Sequence, residues 1–186
     1  MSGKNQKVKT SEEIIFSEDQ NFLMAVSLIA ILMIFLNLLF LYAIFRQVYI
    51  GMPFGDTPMS NTGLFLLFGF TFLITAFLYV LRLETRISKD RIKVRFFPIH
   101  RRFNEFKPEA VEQCEVRKYR PIREFGGWGF RYGIGSGGKA WTVSGKYGLQ
   151  LVFLNGKKLL IGTRKPKGLK NALDKSNFPL KSDKSD

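Results

Sequence analysis

The chain has 186 residues, 46% of them hydrophobic, and a formal net charge of +14 from 29 Lys and Arg against 15 Asp and Glu. One cysteine, Cys114, excludes an internal disulfide and a four-cysteine metal site, and one histidine, His100, excludes an imidazole cluster. The charge is unevenly spread: residues 1–83 balance five cations with five acids, while residues 84–186 hold the other 24 cations against ten acids. An apolar, neutral half followed by a cationic half predicts a membrane anchor carrying a basic domain.

Residues 1–21 are polar and read as a flank ahead of the membrane. From Phe22 to Phe45 there is no charge, and Asn37 is the only strongly polar group; Leu64–Leu81 is likewise uncharged, with Leu83 extending it past Arg82. A helix needs about 20 apolar residues to cross roughly 30 Å of hydrocarbon. Both runs therefore predict transmembrane helices, 22–45 and 64–83. Loop 46–63 between them holds Gly51, Pro53, Gly55 and Pro58, which fit an irregular turn. The first run is longer than the 7–15-residue apolar region of a signal peptide, and no small-residue cleavage site follows, so it reads as a retained anchor. Cations near the span ends set orientation. The loop holds Arg46 alone, whereas Lys4, Lys7 and Lys9 precede the first span and Arg82, Arg86, Lys89, Arg91, Lys93 and Arg95 flank the second. This predicts a multi-pass protein of the cytoplasmic membrane with both termini inside and the loop outside.

Beyond Leu83 the apolar period changes to two. Ile92, Val94 and Phe96 alternate with Arg91, Lys93 and Arg95, an amphipathic strand with a basic outer face. Glu84–Ser88 precedes it and can pair with it through Lys89-Asp90. Val111, Cys114 and Val116 suggest a short helix beginning at Pro108. Leu149, Leu151 and Phe153 lead through Asn155-Gly156 to Leu159, Leu160 and Ile161, and Asn-Gly between two such runs signals a hairpin with φ > 0 at both turn positions. Pro166 can open a helix, with Leu169, Ala172 and Leu173 forming its apolar stripe. Six or seven strands and one closing helix predict a mostly-β domain over 84–175: a bent antiparallel sheet or barrel closed by the C-terminal helix, with residues 176–186 as a polar tail.

That plan is typical of pleckstrin-homology (PH) domains. The chain also resembles a group of small bacterial membrane proteins with two N-terminal spans and a PH-like domain. The resemblance rests on Arg95-Phe96-Phe97-Pro98, on residues 120–131 from Arg120-Pro121 to Phe130-Arg131, and on Leu160-Ile161-Gly162-Thr163 with its following helix. It covers roughly residues 22–175 and implies a PH-like fold and a membrane location, with no reaction attached.

Several motifs invite chemistry and have plainer readings. Residues 133–139 satisfy both G-x-G-x-x-G and G-x-x-x-x-G-K, but a P-loop continues with Ser or Thr and then a helix. Here Ala140-Trp141-Thr142-Val143 follows, a strand pattern, so the segment reads as a hairpin loop and nucleotide binding is rejected. Trp128 among Gly126, Gly127 and Gly129 reads as a core residue at a strand bend, with an exposed ligand anchor as the alternative. Arg131 can reach either Glu124 or a ligand. His100 reads as a surface residue, and Cys114 as a buried small hydrophobe. No catalytic, cofactor or metal residues are expected.

With no linker between Leu83 and the first strand, the domain should stand within about one Debye length, roughly 8 Å, of the lipid charge. Arg86, Lys89, Arg91, Lys93 and Arg95 are the candidate contacts to anionic headgroups, each worth about 1 kcal/mol near a charged leaflet. The expected function is a non-enzymatic, membrane-anchored binding or assembly module acting on anionic lipid, a protein partner or a second copy of itself. A subunit of an oligomeric transport or channel complex is the alternative. A nucleic-acid binder using Tyr119, Trp128, Tyr132 and Trp141 for stacking is a more distant one.

Overall fold

The two apolar runs fold as helices. Helix α1 (Phe22–Ala25) leads into α2 (Ser27–Ile44), which continues through a π-turn at Phe45–Tyr49; α3 spans Asn61–Val80. This computed structural model describes residues 13–25, 27–133 and 137–181, with side chains for all of them except Met24 and Ala25. Among the described residues two helices are long and apolar enough to cross a membrane, Ser27–Tyr49 with 23 residues and Asn61–Val80 with 20. At 1.5 Å per residue they measure about 35 and 30 Å. Protein does not cover them: Leu28, Phe35, Leu66 and Leu73 all stand exposed. Helix α3 begins earlier than expected because Ser60 caps it, its hydroxyl accepting from the Gly63 N–H at 3.2 Å. The polar side chains of the pair face each other. Asn37 donates to the Thr75 hydroxyl at 2.9 Å, and the Thr71 hydroxyl lies 3.5 Å from the Asn37 oxygen.

Two sheets make up the rest. The first has the order β1-β2-β3-β4, all antiparallel: β1 (Ile14–Asn21), β2 (Arg82–Ser88), β3 (Ile92–Phe97) and β4 (Asn104–Phe106). The second contains β5 (Val111–Lys118), β6 (Gly129–Tyr132), β7 (Lys139–Thr142), β8 (Tyr147–Phe153) and β9 (Lys158–Thr163) in the order β5-β8-β9-β7-β6. Its pairs are antiparallel except β7 with β9, which is parallel. Short helix α4 (Pro121–Phe125) joins β5 to β6, and α5 (Pro166–Asp174) follows β9. The single bent sheet or barrel of the sequence reading is thus replaced by two sheets packed on each other, with no closed barrel.

The polar flank is the largest correction. Residues 14–21 are a strand, paired with β2 from Ile14–Ser88 to Asn21–Arg82. Phe16, Glu18 and Gln20 point inward and are buried, and because two of these three are polar the strand escapes a search for apolar runs. Glu18 accepts from the Thr163 hydroxyl at 2.6 Å and the Arg164 N–H at 2.9 Å, and Gln20 donates to the Gly162 carbonyl at 2.9 Å. These bonds tie the end of β9 to the β1 edge of the first sheet. The opposite end of β9 lies beside Phe153, which packs on Phe106 of β4 at 5.4 Å between ring centroids. Strand β9 therefore runs across the first sheet from its β4 edge to its β1 edge.

The alternation in β3 holds, with Ile92, Val94 and Phe96 buried beneath Arg91, Lys93 and Arg95. The helix expected at Pro108 is only a 3-10 turn, Pro108–Ala110, before β5. A bulge explains the misreading: Val111 pairs with Phe153 and Gln113 with Val152, so Glu112 is extra, and Val111 and Cys114 reach the same face three residues apart. The turn after β8 has only Gly156 at positive φ, +75°, and Asn155 stays at negative φ. Helix α5 opens at Pro166 and buries the expected stripe of Leu169, Ala172 and Leu173 against strands of both sheets, which leaves it packed on two sheets with no barrel to close.

Candidate functional site

Two basic regions compete as the site. The first is the outer face of β2 and β3, where the sequence placed Arg86, Lys89, Arg91, Lys93 and Arg95. Four of these five share that face, and Lys89 sits in the exposed turn between the strands. The strands bring acids to the same face. Glu84 lies opposite Arg95 in the β2–β3 register, takes its guanidinium in an ion pair, and holds Arg86 at 3.7 Å. Glu105 of β4 takes Arg91 at 3.0 Å and Lys93 at 3.5 Å. The Phe103 ring lies under the guanidinium groups of Arg86 and Arg95, 4.8 and 4.6 Å away. Five cations with two carboxylates leave a surplus of three, so attraction to an anionic leaflet falls to about 3 kcal/mol at most.

The second region is a cleft at the β4 edge, of about 690 Å³. Phe106 from β4, Trp141 from β7 and Phe153 from β8 line it, with Trp141 and Phe106 6.4 Å apart between centroids. Lys139, Lys157 and Lys158 stand at its rim, all exposed, and among the described residues no Asp or Glu lines it. The parallel pairing of β7 with β9 sets Lys139 opposite Leu159, next to Lys158. Gly138 makes that approach possible: it has φ +73°, and a Cβ there would lie 2.3 Å from the Lys158 carbonyl oxygen. Lys139 also sits over the exposed Tyr132 ring, 5.5 Å from its centroid.

His100 is partly buried against one of the residues that line the cleft and does not stand on the open surface. Its ring packs on Trp141 at 4.7 Å and on Phe130 at 5.5 Å. Burial, and secondarily the Lys139 charge, hold its pKa below the usual 6.5. Trp141 is 5% exposed, and its indole N–H has no partner.

The other singled-out residues have defined partners or positions in the fold. Trp128 is half-buried and donates to the Gly145 carbonyl at 3.1 Å, so it is neither a core residue nor a free anchor. Arg131 donates to the Trp128 carbonyl at 3.2 Å, while Glu124 pairs with Arg117 at 2.9 Å. Cys114 is fully buried, and burial rather than its acidic neighbours pushes its thiol up to about 11. Of the four aromatics offered for base stacking, Tyr119 and Trp141 are buried and Tyr132 alone is exposed. Residues 134–136 of the glycine loop lie outside the described residues; the strand expected after the loop is β7. Among the described residues no group of His, Cys, Asp or Glu could hold a metal ion.

The cleft was not found from the sequence. Gly138-Lys139 and Lys157-Lys158 are visible there as loop-edge lysines, but only the parallel β7–β9 pair joins them, and no local pattern announces it.

A family model described as a family of unknown function (DUF6141) matches residues 8–177. The chain belongs to that family. The match begins ahead of β1 and ends beyond α5, so it takes in the strand before the helices together with both sheets. No curated protein and no solved structure matches the chain.

Proposed function

We propose that this member of the family is a non-enzymatic, membrane-anchored binding module: α2 and α3 span the cytoplasmic membrane, and the two-sheet domain is held at its inner surface to engage anionic ligands or a partner. The observation that carries the reading is the β1–β2 pair. The strands entering and leaving the helical hairpin are hydrogen-bonded to each other, the Phe22 N–H reaches the Leu81 carbonyl at 2.9 Å, and the Asn21 amide reaches the Tyr79 carbonyl. Both ends of the hairpin therefore belong to one side, and the domain is fixed to it at two points without a linker.

The cation asymmetry supports the inner side. A PH-like kinship is part of this reading, supported by strand-rich sheets followed by a C-terminal helix; the parallel β7–β9 pair is its main departure. The mutual satisfaction of Asn37, Thr71 and Thr75 leaves the outward faces of the pair apolar, which favours lipid contact over a pore lining. Cysteine substitution tests the topology, helped by the burial of Cys114. In sealed cells an impermeant maleimide should label Ser60→Cys, and Lys175→Cys only after permeabilisation. The reverse pattern removes the inner-surface domain from the account.

A further inference from the structure

We infer that the cleft at the β4 edge is a binding site for a small organic anion with an apolar body, its phosphate or carboxylate on Lys139, Lys157 and Lys158 and its body on Trp141, Phe106 and Phe153. The inference rests on the binding-module reading and names the ligand class for it. Three observations converge. The cleft's 690 Å³ lies within the roughly 300–1,000 Å³ of small-molecule pockets, and its interior is aromatic. Its rim carries three ammonium groups that come from two strands and a turn, and among the described residues no carboxylate lines it. By contrast, every acid drawn to the β2–β3 face pairs with the cations there. A buried indole N–H, that of Trp141, stands without an acceptor on a residue lining the cleft. Burying a donor without a partner is unfavourable, which marks the packing around this ring as incompletely satisfied.

The register places the site away from the helix ends. Phe106 pairs with Ile92, which pairs with Ile87, five residues along β2 from Arg82. At about 3.3 Å per residue that is roughly 17 Å along the strand from the junction with the helices. The ligand is therefore an amphiphile that reaches the aqueous phase, and the experiment separates this source from the bilayer itself.

Trp128 and Trp141 are the only tryptophans. Full-length protein carrying Trp128→Phe, in nanodiscs of neutral phosphatidylcholine, makes Trp141 fluorescence the reporter. Octyl phosphate and octanoate should each shift its emission saturably. Octyl glucoside, with the same chain and no charge, and inorganic phosphate, with charge and no chain, should bind at least tenfold more weakly. Changing Lys139, Lys157 and Lys158 together to Gln should weaken octyl phosphate at least tenfold with an unchanged melting curve, since all three are exposed. A shift caused by phosphatidylserine in the nanodisc without soluble probe would keep the site but assign its anion to the bilayer. No saturable shift, an equal response to octyl glucoside, or undiminished binding by the triple variant would overturn the assignment. These failures are distinct from failure of the parent reading, which the maleimide pattern reports independently of any cleft ligand.

Discussion

The outer face of β2 and β3 and the cleft at the β4 edge are both rich in cations, yet the fold treats them differently. On the strand face, cross-strand neighbours Glu84 and Glu105 meet Arg95, Arg86, Arg91 and Lys93 within ion-pair distance, and Phe103 covers two of the guanidinium groups. At the cleft, lysines contributed by separate elements surround an aromatic interior with no acid among the lining residues. A count of cations along the chain locates the first region and misses the second. An anion site is marked by cations that the fold leaves without carboxylates, which depends on pairing across strands and not on density in sequence.

The largest expected effect concerns the platform that holds both regions. Phe16 is buried, and Glu18 accepts two hydrogen bonds. Losing β1 would cost about 2 kcal/mol for the ring and about 1.5–3 kcal/mol for each bond to the carboxylate. That total rivals the whole stability of a domain, about 5–15 kcal/mol. Because Asn21 pairs with Arg82, a two-residue turn can replace the helical hairpin. Residues 13–21 joined through Asn-Gly to residues 82–181 should give a soluble, mostly-β protein with one cooperative melt by circular dichroism, whereas residues 82–181 alone should not. Equal melts for the two chains would deny β1 its role. The spliced domain also frees both cation sets from the anchor, so each can be assayed alone.

A second, smaller effect tests the neutralisation directly. Glu84→Gln leaves Arg95 and Arg86 without their carboxylate. The Arg95–Glu84 side chains are 27% and 10% exposed, so the loss should be about 1–2 kcal/mol of stability, more than an exposed surface pair gives. The same change should raise affinity for phosphatidylserine vesicles about fivefold, as one more net cation at about 1 kcal/mol. Gln at Arg86, Lys89, Arg91, Lys93 and Arg95 together should abolish that binding, and neither variant should alter octyl phosphate binding at the cleft. Vesicle co-sedimentation at low and high salt measures both. If affinity is unchanged by Glu84→Gln, the acids do not govern this face.

Local periodicity made much of the molecule legible. The uncharged runs, the Ile92–Phe96 alternation and the Leu169–Leu173 stripe each encode their element within a few residues. What escaped depends on partners distant in sequence. Strand β1 buries a carboxylate and an amide that only Gly162, Thr163 and Arg164 can satisfy. The bulge at Glu112 turned a strand into an apparent helical spacing, and the parallel β7–β9 contact that builds the cleft has no local signature. His100 was misplaced for the same reason, since its neighbours Trp141 and Phe130 lie thirty or more residues away.

The smallest expected effect reads the cleft through that histidine. Burial lowers the His100 pKa, and the Lys139 charge lowers it further. The unfolded chain takes up its proton near 6.5, at a higher pH than the folded protein does. Below 6.5 the unfolded state therefore binds more protons, and acidification favours unfolding. Stability from this group is full above pH 6.5 and is lost as the pH falls to the folded value, where the loss levels off. His100→Gln should remove that slope while leaving carboxylate titration at lower pH in place. His100 is the only histidine, so one imidazole resonance reports its titration. An anion held by Lys139 would offset the ammonium charge and move the folded pKa part of the way back toward 6.5, so octyl phosphate should lessen the slope, while the larger part due to burial stays. A vesicle bound at the β2–β3 face should leave it unchanged, because none of the cations there lowers the imidazole pKa. A folded pKa at or above 6.5 would contradict the packing against Trp141. Equal shifts from vesicles and from octyl phosphate would erase the distinction between the two basic regions.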